Sequence, residues 1–257
     1  MTIWRLLRTD PADAATNMAL DEALLDRARE TGEAVLRVYE WAAPSLSLGR
    51  NQSAAGWYGA RRAAALGVAV VRRLTGGRAV VHARELTYSV TAPVVAGEPL
   101  RESYARINAV LVRALRRLGV AAEVAAARGA TPRPDAAPCF EAPTAGELVV
   151  RGRKLVGSAQ WRDDGALLQH GSVLVDDDQA LLAELALRPL PPPPPAATLR
   201  AELGAAPSAA AFLDALGGAV RELEDRRAAP LAADGALWAR AAGCRARYLD
   251  DAWTWRR

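Results

Sequence analysis

Residues 147–176 read ELVVRGRKLVGSAQWRDDGALLQHGSVLVD. Three apolar runs, each too short for a helix, are separated by Arg-Gly-Arg and Asp-Asp-Gly. Such turns between strand-like runs predict an antiparallel meander. Working outward, NMALDEALLDRARE, from Asn17, offers a capping residue and then Met18, Leu20, Ala23 and Leu24 at helical spacing, which predicts an amphipathic helix. AVLRVYEW and SLSLG read as strands. VAVVRR and AVVHARELTYSVTAP read as two more strands around a glycine turn. RESYARINAVLVRALRRLG sets Tyr104, Ile107, Leu111, Leu115 and Leu118 on one stripe between Pro99 and Gly119, a second helix. Helix, strands, helix, meander and a helical end predict an α+β fold with a mixed sheet, not alternating βαβ units.

The chain has 257 residues, 51% apolar and 24% charged, enough for one large domain or a domain with a small appendage. PLPPPPP, residues 189–195, is a polyproline border between a main domain, 1–188, and a helical segment, 196–257, expected to pack on the same domain. No apolar run approaches the roughly 18 residues that span a bilayer, and the N-terminus lacks a signal-peptide core, so the expected location is cytoplasmic. Cys139 and Cys244 show neither metal-ligand spacing nor a disulfide framework, so no metal site is expected. The net charge of +4 is spread out, without a nucleic-acid motif, and suits an acidic protein partner.

Of 33 basic residues one is lysine, Lys154. A rare residue that persists against such a bias marks a position where chemistry can require it. RRLTGGRAVVH, residues 72–82, puts three arginines and a histidine around adjacent glycines, whose backbone can approach a carboxylate or acyl ligand closely. It is neither a Walker loop nor a dinucleotide fingerprint; the blander alternative is a hairpin with a basic rim. Cys139 sits between prolines in APCFEAPT, an odd place for a filler thiol, whereas Cys244 in a helix fits that role. His82 and His170 both fall in glycine-containing strand segments.

Taken in order, RRLTGGRAVVH, GRKLVGSAQ and LLQHGSVLV resemble the signature segments of the biotin/lipoate A/B protein ligase superfamily. PCFEAPT followed by GELVVRGRKLVGSAQ is similar to the bacterial octanoyltransferases that act on the glycine cleavage H protein. The resemblance covers roughly residues 17–176, and RYLDDAW looks like the family's closing segment. It implies a ligase-like catalytic domain over 1–188 with a mixed, largely antiparallel sheet flanked by helices. It implies octanoyl-acyl carrier protein as donor, glycine cleavage H protein or a lipoyl domain as acceptor, a nucleophile at Cys139 and an assisting Lys154. The acyl pocket would be walled by Arg72, Arg73, Gly76, Gly77, Arg78, His82, Gly157, Ser158, Ala159, Gln160, His170, Gly171 and Ser172. No cofactor, nucleic acid or membrane is implied; ATP and Mg belong to the first alternative, an ATP-dependent lipoate-protein ligase of the same fold. Arg78 where such ligases commonly have a third glycine, and Ala83 where they have Asp, weigh against that alternative. A cysteine hydrolase and a noncatalytic acyl-binding module are the others.

The implied chemistry is two acyl transfers, thioester to Cys139 and then to a lysine amine. Lowering a cysteine pKa from about 8.5 to about 6.5 yields only about threefold in rate once lost nucleophilicity is subtracted. Holding the oxyanion of each tetrahedral intermediate is worth about 10²-fold or more, so that is the role expected of Lys154. His82 or His170 could accept the amine proton.

Overall fold

The structure, a computed structural model, describes residues 2–126, 146–191 and 193–256. The first half runs β1 (Trp4–Arg8), α1 (Ala14–Thr31), β2 (Ala34–Tyr39), β3 (Ser45–Leu48), α2 (Ala60–Ala65), β4 (Ala69–Arg72), β5 (Val80–His82), β6 (Glu85–Pro93) and α3 (Leu100–Arg117). Then come β7 (Glu123–Val124), β8 (Leu148–Val150), β9 (Arg153–Asp163), β10 (Ala166–Leu174), α4 (Leu181–Leu185), α5 (Leu199–Leu203), α6 (Ala209–Leu223), β11 (Ala229–Pro230), α7 (Gly235–Leu249) and α8 (Asp251–Thr254).

The predicted meander is present as β8, β9 and β10, antiparallel throughout. It lies within one large sheet of order β11-β1-β2-β6-β10-β9-β8-β7. β1 is parallel to β2 and β11, while the pairs from β2 onward are antiparallel. The sheet is mixed, as expected of an α+β fold.

Two local expectations are corrected. The strands flanking the glycine turn, β4 and β5, do not pair with each other, because β3 lies between them in a small second sheet, β4-β3-β5. The first helix starts at Ala14, ahead of Asn17, because the Asp13 side chain accepts the Thr16 N–H and caps it. Asn17 instead donates to the Ala12 and Glu40 carbonyls and ties the helix to the strand ends.

Both faces of the large sheet are covered. On one, Ile107, Leu111 and Leu115 of α3 and Phe212 and Leu216 of α6 pack with Leu36, Tyr88, Val156 and Leu167. On the other, Leu20 and Leu24 of α1 pack with Tyr39, Ala166 and Leu168, with Leu237 and Tyr248 of α7 behind them. β10 is therefore buried at all nine positions, and its polar residues Gln169, His170 and Ser172 must find partners inside the protein.

One irregularity sets the direction in which Lys154 points. Leu148 pairs with Val156 but Val149 pairs with Lys154, so Leu155 is an extra residue, a bulge. Leu148 and Val150 belong to the α3-side core; Val149, and Lys154 opposite it, therefore face the α1 side, as Gly157 and Ala159 do. Without the bulge, strict alternation would put Lys154 on the α3 face with Val156. The Lys154 carbonyl accepts the Ala197 N–H at 2.9 Å, tying this strand to the chain beyond the polyproline stretch.

Candidate active site

A cleft opens between the small sheet and the α1-side face of the large one. Arg73, Gly77 and His82 line one wall; Gly157, Ser158, Ala159, His170, Gly171 and Ser172 line the other. Met18, Tyr39, Trp41, Ser47, Val80 and Thr87 complete it. The lining is mostly apolar, because its polar groups are turned onto one another.

Glycine is required where backbones nearly touch. A Cβ on Gly49 would lie 2.0 Å from the Gly77 carbonyl oxygen, and Gly77 itself has φ of 89°. A Cβ on Gly171 would lie 2.5 Å from the Gly157 oxygen, 2.7 Å from Ser158 Oγ and 2.8 Å from Tyr88 Cε1. Ser158 lies on the α3 face by alternation, yet borders the cleft beside Gly171, where no side chain intervenes.

Each histidine has both ring nitrogens engaged. His170 Nδ1 is 3.0 Å from Asp21 Oδ2 and Nε2 is 2.7 Å from Thr75 Oγ1. Asp21 also accepts from Arg37 at 2.8 Å, Ser89 at 2.7 Å and Tyr39 at 3.1 Å. Burial alone would raise the Asp21 pKa, but the His170 hydrogen bond and the Arg37 charge hold it below the usual carboxylate value. Burial lowers the pKa of His170 despite the pull of Asp21. His82 Nε2 is 2.7 Å from Ser47 Oγ, and Nδ1 is 2.8 Å from Glu85 Oε1 and 3.2 Å from Ser172 Oγ. Trp41 stacks on the His82 ring with centroids 4.0 Å apart and donates its indole N–H to Thr87 Oγ1.

The arginines of the glycine turn have separate tasks. Arg73 lies along the cleft wall and donates to the Ser47 carbonyl and hydroxyl and to the Gly76 and Arg78 carbonyls, which fixes the turn. Arg72 points away, donating to the Gly49, Gln52 and Thr254 carbonyls, and so locks the C-terminal helix against the turn. Arg72, Gly76, Arg78 and Gln160 are not part of the cleft lining, in contrast with the expectation from the sequence. Gln160 falls on the α3 face, where it bonds Ser103 and Gln169.

Lys154 is 3% exposed, and its Nζ donates to Glu147 Oε1 at 2.5 Å. It stands three residues before Gly157 on β9, about 10 Å along the strand from the described cleft wall. Cys139 lies outside the described residues. Cys244 is half-buried in α7, where burial pushes its thiol up to about 11.

The model of the lipoyl protein ligase A/B catalytic domain matches residues 13–221. The chain belongs to this family. An octanoyltransferase LipM from Kyrpidia tusciae is 46% identical over 196 residues, covering 72% of this chain and 71% of that protein. The crystal structure of a lipoate-protein ligase A bound with ATP superposes with a TM-score of 0.79 at 21% identity, covering 99% of each chain. A bi-partite lipoate protein ligase from Thermoplasma acidophilum, described with its E2 lipoyl domain, gives 0.74 at 20% identity, covering 99% of this chain and 97% of that one. At such identities the two structures establish the family's fold for this chain, and the activity rests on the sequence relatives.

Several residues of this family member were not singled out from sequence: Ser47, Trp41, Glu85, Glu147 and above all Asp21. Asp21 did carry a signal, an acid one helical turn after Met18 on the face meant for the core.

Proposed function

We propose that the protein moves an octanoyl group from the thioester of an acyl carrier protein, through a thioester on Cys139, to a lysine amine of a lipoyl domain or of the glycine cleavage H protein. It is an octanoyltransferase: curated relatives with that activity are 40–46% identical over about 70% of the chain. That identity is the observation that carries the reading. The cleft supports it, because an apolar space with its polar groups internally paired suits an alkyl chain. The donor, the acceptor and the roles of Cys139 and Lys154 are our reading.

In the first step the Cys139 thiolate attacks the donor carbonyl, and the carrier's thiolate leaves. Thioester replaces thioester, so the step is nearly isoenergetic. In the second an acceptor amine attacks the acyl-enzyme; the C–N bond forms, the C–S bond breaks, and the released Cys139 thiolate takes up the proton the amine loses. Amide formation is downhill, so no nucleotide is needed. Lys154 is the cation that stabilises the oxyanion in both intermediates. His82 and His170, both bonded at each nitrogen, serve as wall and scaffold in this scheme, since the leaving thiolate already accounts for the proton. No helix among the described residues is long and apolar enough to cross a membrane.

The test is transfer from octanoyl-acyl carrier protein to a lipoyl domain without nucleotide, followed by intact mass of the acceptor. An octanoylated acceptor is expected. Transfer from free octanoate only when ATP is supplied would assign the chain to the ligases instead.

A further inference from the structure

We propose that Glu147 is the positioning residue for Lys154, and that its carboxylate sets how fast the octanoyl group is transferred. The inference rests on the function proposed above, because it assigns to Glu147 the task of presenting the cation that function requires.

Four observations lead there. Lys154 is the single lysine in a chain with 33 basic residues. The bulge at Leu155 turns it onto the face that carries the cleft. Its ammonium is buried and would have several rotatable bonds of freedom, yet it is fixed by a carboxylate 2.5 Å away that is itself 7% exposed. Glu147 comes from the residue just before β8, so the two partners are brought together by the β8–β9 hairpin, seven residues apart.

A carboxylate at that distance does two things. It offsets the cost of burying the ammonium, because a charge away from water is tolerated beside a counter-charge. It also fixes the direction of the amine. An ammonium has three donors, and the bond to Glu147 uses one of them. Arginine at this position would present a planar fork whose charge sits farther from the backbone, and a carboxylate placed for Nζ would hold it in another position. Glu147 therefore touches no substrate and works through Lys154.

The single lysine makes the test clean, because protein labelled with 15N-lysine has one side-chain amine resonance. In the wild type a slowly exchanging ammonium signal is expected, as for a buried ion pair. Glu147→Gln, nearly isosteric, should abolish or move that signal. It should also lower kcat about 100-fold while KM for the octanoyl donor stays within about threefold. Glu147→Asp keeps the charge and should recover at least about tenfold of the loss. Should Glu147→Gln fail to fold, Glu147→Asp carries the test alone, with a moved signal and kcat reduced about tenfold. A folded Glu147 variant with an unchanged ammonium signal, or with kcat within twofold of wild type, overturns the proposal. An inactive wild type with a Glu147-dependent signal overturns the function and leaves the pairing. An active wild type with a Glu147-independent signal does the reverse.

Discussion

Two buried charge clusters face the α1 side of the large sheet, and they are built on opposite principles. At its centre Asp21 accepts from Arg37, Ser89, Tyr39 and His170, and Arg37 donates further to Thr9 and Asn17. This network joins α1 to β2, β6 and β10. Toward the β7 edge, Lys154 and Glu147 form an ion pair across the β8–β9 hairpin. A network spread over four elements resists displacement and acts as scaffold; the role proposed above for the hairpin pair is to answer to a substrate. With Lys154 in its proposed role, the difference teaches that burial of charge alone does not mark the reacting groups.

The sharpest way to break this contrast is Lys154→Arg. It preserves charge, and should cost about 10²-fold in kcat with little change in unfolding free energy, measured by steady-state transfer and denaturant melts. Loss of stability with normal turnover would place Lys154 in the scaffold instead.

The converse substitution, Asp21→Asn, should act on folding, losing about 3–5 kcal/mol as Arg37 is left buried without its counter-charge. Stability of the wild type should also depend on pH in a defined direction. The lowered His170 pKa means that its neutral form is favoured on folding, so this contribution is complete above about pH 6.5 and is lost as pH falls. The lowered Asp21 pKa adds a second loss, starting below about pH 4 and continuing through its folded value. Urea melts at stepped pH should show both losses, and His170→Gln should flatten the first.

A smaller effect is expected at the seam between the two faces. Gly171→Ala forces a Cβ against the Gly157 carbonyl on the α3 face, beside Ser158 and Tyr88, which should cost about 1–3 kcal/mol and raise KM for the octanoyl donor as the strand bordering the cleft shifts. Thermal melts and donor titration check this; unchanged KM would move the acyl chain away from Gly171.

Much of the fold was legible because its signals are local. The meander is announced by two turn sequences, and α3 by an unbroken stripe from Tyr104 to Leu118. What escaped is non-local or depends on a single residue. Nothing in VAVVRR or AVVHA shows that β3 will insert between them. The bulge at Leu155 leaves no mark in GRKLVG, yet it decides which face Lys154 occupies. Gly77 and Gly171 border the cleft, and both stand where backbones approach too closely for a side chain. Strand alternation turns Gln160 to the α3 face, and Arg72 is engaged with the Gly49, Gln52 and Thr254 carbonyls; neither placement has a local mark in the sequence.

The central claim is that an acyl group is carried on Cys139. Intact-mass analysis of wild type and Cys139→Ser after exposure to octanoyl-acyl carrier protein tests it most directly. The account predicts a gain of about 126 Da on the wild type, reversed by hydroxylamine and absent from Cys139→Ser. Full transfer activity in Cys139→Ser, or no adduct on a wild type that still transfers, would contradict it.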